Sequence, residues 1–153
     1  MKLFSFLTGF FFLVAAGTAA SGGNLSLPGG SHQGKPSAES VMDYTRLIDR
    51  LRATGVSALP AGEAQQSFIS VQGRMIKVGG EDVQVFQYAH TKAAAEQAAL
   101  VSPDGNAVGT SMIHWIGSPH FFRKDLLLVL YIGDDEKVIK ALEAVLGRQF
   151  AGK

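Results

Sequence analysis

The chain has 153 residues, a formal net charge of +1, no cysteine and one tryptophan. So small a charge gathers little counterion-release energy on phosphates, which argues against nucleic acid or an anionic membrane surface as the partner. Without cysteine there can be no disulfide, no thiolate chemistry and no lipid attached through sulfur, and stability must come from packing.

Residues 1–20, MKLFSFLTGFFFLVAAGTAA, carry Lys2, an apolar run from Leu3 to Ala16 and a small-residue end, the layout of a secretory signal peptide. Thr18-Ala19-Ala20 suits cleavage before Ser21, and Gly17-Thr18-Ala19 offers a cut one residue earlier. The competing reading, an uncleaved anchor, is weakened by Ser5, Thr8 and Gly9, which leave the run short of the roughly 20 apolar residues of a spanning helix. Membrane contact is therefore expected only through the leader before its removal, and the product is expected to be periplasmic or secreted. Cleavage removes five of the ten phenylalanines and Lys2 but no acid, so the 13 acidic groups are left matched by as many basic ones.

Residues 21–39 open with SGGNLSLPGGSHQGKP, have no apolar period and are expected to form a flexible tether in which His32 is solvated. The remainder, 40–153, is long enough for one domain with one core. Val41, Tyr44, Leu47, Ile48 and Leu51 recur at helical spacing, with Ser40 and Asp43 as a capping box and Gly55 as the stop. Val56 to Leu59 reads as a short strand broken by Pro60-Ala61-Gly62, followed by a loop through Ser67. A hairpin follows, with arms Phe68 to Val78 and Val83 to Ala89 across Gly79-Gly80-Glu81-Asp82, and Gly73 as a bulge or bend. Thr91 should cap an alanine-rich helix running to about Val101, which the turn Ser102-Pro103-Asp104-Gly105 ends.

The second half predicts a strand over Ser111 to Ile116, a connection through Pro119 to Lys124 and a strand from Leu126 to Ile132. A closing helix follows, capped by Asp134 or Asp135, which buries Val138, Ile139, Leu142, Val145 and Leu146 and stops at Gly147. These elements predict an α+β two-layer sandwich of four to five mostly antiparallel strands with three helices, a strand-strand-helix arrangement occurring twice. Leu126 to Ile132 is apolar on both faces, which marks it as central and requires helix one, a partner subunit or a ligand over its second face.

Candidate chemistry is sparse. His114 and His120, with Asp104 or Asp125 as a carboxylate, could in principle hold zinc, but their spacing matches no metal signature, and no cofactor is expected. No Gly-x-Ser-x-Gly elbow is present, and Asp134-Asp135-Glu136 lacks the alternation of a calcium loop. A binding surface is the better lead. Phe86 and Tyr88 share one strand face, Trp115 lies with Ile113, and Tyr131 with Leu127 and Val129; coincident faces would give one aromatic wall. The competing reading is that helices cover that wall. His120, Phe121, Phe122 and Arg123 in the second-half connection form a second candidate patch, again against ordinary packing.

Gly80-Glu81-Asp82-Val83-Gln84-Val85-Phe86-Gln87-Tyr88, Ser102-Pro103-Asp104-Gly105, Pro119-His120-Phe121-Phe122-Arg123-Lys124, the run Leu126 to Gly133 and Leu146 to Gly152 together resemble an uncharacterised family of short exported bacterial proteins, many of them lipoprotein-like. The resemblance spans about Arg52 to the C-terminus and implies export, without catalytic residues. This chain departs from the family in lacking the lipid-attachment cysteine. The expectation is thus a non-catalytic exported domain that binds an envelope protein or a small apolar ligand. The rivals are a metal-dependent or hydrolytic envelope enzyme and a homodimer built through the Leu126 to Ile132 strand.

Overall fold

The structure, a computed structural model, describes residues 41–153; the expected leader, the tether and Ser40 lie outside the described residues. Helix α1 spans Tyr44–Ala53 and buries Tyr44, Leu47, Ile48 and Leu51, the stripe its periodicity predicts. Asp43 is its cap, with a carboxylate that accepts the Arg46 N–H at 2.9 Å. Because the chain is still extended at Asp43, Val41 does not join the stripe; it is exposed, and Met42 is buried instead.

Strand β1, Ala58–Ala64, runs through the Pro60-Ala61-Gly62 segment expected to break it. Two features permit this. β1 is the sheet edge, where a missing N–H is harmless, and a register shift between Pro60 and Gly62 absorbs the turn residues as a bulge. Strands β2 (Gly73–Val78) and β3 (Glu81–Gln87) form the expected hairpin, but across Gly79-Gly80 alone, both at positive φ. Its first arm begins at Gly73, not Phe68. That glycine faces Phe86 across the ladder, and a Cβ there would lie 2.6 Å from the Phe86 ring.

Helix α2, Thr91–Ala99, follows His90, which occupies the cap position without a side-chain bond, so Thr91 is the first helical residue and not the cap. Residues 111–116 do not form the expected strand. Only Ser111–Met112 (β5) pairs, with Ala107–Val108 (β4), in a separate two-stranded sheet. The turn glycines Gly105 and Gly109, both at positive φ, stand too close for a longer ladder between them. The segment taken as a connection is instead strand β6, Pro119–Lys124, paired along its length with β7, Leu127–Ile132. Helix α3, Glu136–Leu146, is capped by Asp135, which accepts the N–H groups of Lys137 and Val138. A last short strand, β8 (Ala151–Gly152), pairs with β6.

The protein is therefore α+β, with three helices, a six-stranded antiparallel sheet in the order β1-β2-β3-β7-β6-β8 and the small β4-β5 sheet. β7 is central, as its two apolar faces require. Leu127, Val129 and Tyr131 pack with α1 and α3, while Leu128 and Leu130 pack with α2 and the Val108 region. The chain thus covers both faces of its own central strand, and β3 and β6 occupy both its edges. β7 itself therefore offers neither a free edge nor an uncovered face to a second copy.

Candidate functional site

The expected aromatic wall does not form. Val83 opposes Tyr131 and Phe86 opposes Leu128, so Tyr131 lies on the α1 and α3 side while Phe86, Tyr88 and Trp115 lie on the α2 side. Phe86, Tyr88 and Tyr131 are all buried in the chain's own cores. Burial raises the Tyr88 phenol above its usual range, opposed by the Ser70 side chain, and no partner meets hydrogen-bond geometry at its hydroxyl. Burial also raises that of Tyr131, whose hydroxyl accepts the Asp135 N–H at 3.1 Å.

The second candidate patch also packs inward. Phe121 and Phe122 point to opposite cores and are inaccessible, leaving only Arg123 exposed. Lys124 extends its ammonium to the Val145 carbonyl at 3.2 Å, a cation at the end of α3. His120 is buried: Nε2 meets the Gly133 carbonyl at 3.0 Å, Nδ1 meets Gln149 Oε1 at 2.6 Å, and the ring stacks on Tyr131. His120 thus ties β6 to the segments on either side of α3, and neither ring nitrogen is turned out for a ligand.

His114 is exposed and not the packed strand residue expected, and Asp104 organises a turn. The Asp104 carboxylate accepts the Ser102 hydroxyl at 2.6 Å, the Asn106 N–H at 3.1 Å and the Asn106 amide at 3.0 Å. The Ser102 bond, with the Asn106 backbone next, holds its pKa below the ordinary value. Among the described residues no three His, Asp or Glu side chains gather as a metal cluster would require, and no hydrogen bond joins a serine or threonine hydroxyl to a histidine.

What the structure does assemble is the 106–118 loop. The Trp115 indole donates to the Gly105 carbonyl at 2.8 Å, and its ring stands edge-on to Phe68 at 5.8 Å and to Phe121 at 6.0 Å. Ser102 accepts the Ala107 N–H, Gly109 donates to Leu100 and Ile113 donates to Asn106, which closes the base of the loop. Ile113 and Trp115 turn in, and Met112, His114 and Ile116 turn out. Met112 is 77% exposed and Ile116 fully so. They border an open recess of about 500 Å³ whose wall includes Asn106, His114, Trp115, Asp134 and Lys153.

Of the candidate binding residues, Trp115 and His114 belong to this recess; Asp134, considered from sequence only as a helix cap or calcium ligand, joins them, and Met112 and Ile116 were missed as site residues. The signal was present in the alternation of 112–116, whose outward positions carry two large apolar side chains. No helix among the described residues is long and apolar enough to cross a membrane. No protein-family model matches the chain, and no curated protein or solved structure is significantly similar to it.

Proposed function

We propose that the chain is an exported, non-catalytic binding domain that engages a partner protein through the 106–118 loop. The observation that carries this is the exposure of Ile116 and Met112 on a loop whose base is pinned by Trp115 and Gly105. Two large apolar side chains held in water cost free energy on an isolated monomer and become favourable contacts once covered. A pre-organised loop also loses little conformational entropy on binding. The recess between them is open, which suits a protein surface better than an enclosed apolar ligand. Phe86, Tyr88 and Tyr131, the aromatics expected to receive such a ligand, are buried in the chain's own cores. Export rests on the leader at residues 1–20, and lipid anchoring through cysteine has no residue to use.

Site-directed photo-cross-linking in the native envelope tests the reading. A benzoylphenylalanine at position 116 of the full chain should yield a discrete cross-linked protein, and the same group at the exposed Thr45 of α1 should not. Absence of any product at 116, or identical products at both positions, would refute it.

A further inference from the structure

We infer that the partner on this loop is a second copy of the chain, related by a two-fold axis; the inference rests on the loop being a contact surface. An isologous contact needs a patch that complements itself, with projections and hollows on one face. The loop supplies both, since fully exposed Ile116 and largely exposed Met112 border the recess of about 500 Å³. The recess also carries Asp134 and Lys153, and neither is in an ion pair among the described residues. A two-fold axis passing between them sets the acid of one copy against the base of the other, whereas a partner of one dominant charge would meet like charge at one of them.

Net charge raises no obstacle, because +1 on the whole chain gives negligible repulsion between copies. The other routes to a homodimer are closed or blunted. β7 is paired on both edges, and the β1 edge carries Pro60 and the bulge between Pro60 and Gly62.

Sedimentation velocity of the full chain as exported by its host, over rising concentration, tests the inference. A monomer-dimer equilibrium is expected. Ile116→Asp should weaken it at least about tenfold, as burial of an uncompensated charge at the centre of a contact does, and Leu59→Asp on β1 should leave it unchanged. Asp134→Lys should weaken it, and adding Lys153→Asp in the same chain should restore it. A dimer indifferent to Ile116→Asp would overturn the inference. So would a monomer at every concentration whose position 116 still cross-links to a protein of different mass, and in that case the loop remains a binding surface. A monomer that also gives no cross-link at 116 would overturn both.

Discussion

The Trp115 indole N–H donates to the Gly105 carbonyl at 2.8 Å, and this bond ties the exposed loop to the turn that Asp104 organises. Gly105 has a φ of +73°, and a Cβ there would press within 3.1 Å of Pro119. A residue with a side chain at 105 would therefore move the carbonyl that holds Trp115, and with it the outward side chains at 112 and 116.

Ile116→Asp should leave thermal stability within about 0.5 kcal/mol of the parent, because a fully exposed side chain contributes little to the fold. Phe122→Ala on β6 should cost about 3–5 kcal/mol, since that ring is inaccessible within the α1 and α3 core. Chemical denaturation of the two variants measures the contrast. A Phe122→Ala chain of parental stability would return β6 to the status of a binding patch.

Gly73→Ala should destabilise by about 1–3 kcal/mol through overpacking, because its Cβ would fall 2.6 Å from the Phe86 ring. The same change at Gly80, where open space surrounds the Cβ position, should cost only the strain of a φ of +99°. Comparing the two midpoints separates crowding from backbone conformation.

The two buried tyrosines set an alkaline limit. Folding raises the phenol pKa of Tyr88 and of Tyr131, so their contribution is fully present below the unfolded value of 10.0 and is lost as pH rises through the folded values. Stability should accordingly decline above about pH 10. Tyr88→Phe should flatten that decline, and at neutral pH it should be neutral or stabilising, because the hydroxyl it removes has no hydrogen-bond partner. Denaturation midpoints taken between neutral pH and pH 11 check both parts. Asp104 acts at the other end: its lowered pKa means that the 102–106 clasp is intact above the unfolded value of 3.8 and loosens as pH falls through the folded one.

Helices were the legible part of this sequence because their apolar period is local; the α1 stripe and the Asp135 cap of α3 follow directly from it. Leu127 to Ile132 announced a central strand for the same reason, since no other element tolerates apolar residues on both faces. The pairing of faces was not legible. Alternation places Phe86 and Tyr131 each on a face of its own strand, but which faces coincide depends on register, and one residue of register moved Tyr131 to the opposite core. β6 was hidden because Pro119 and the charges of Arg123 and Lys124 mimic a connection, although the proline only starts the strand and the lysine caps α3. The loop was obscured by its own alternation, which resembles a strand until Gly105 and Gly109 leave it almost no partner.

The single tryptophan makes the account directly measurable. With 5-fluorotryptophan in place of Trp115 the full chain gives one fluorine resonance, at the base of the proposed contact. That line should shift or broaden on going from dilute to concentrated protein or on adding native envelope extract, and it should stay fixed in the Ile116→Asp chain. A resonance unchanged in position and width under both treatments would contradict the loop as a partner surface.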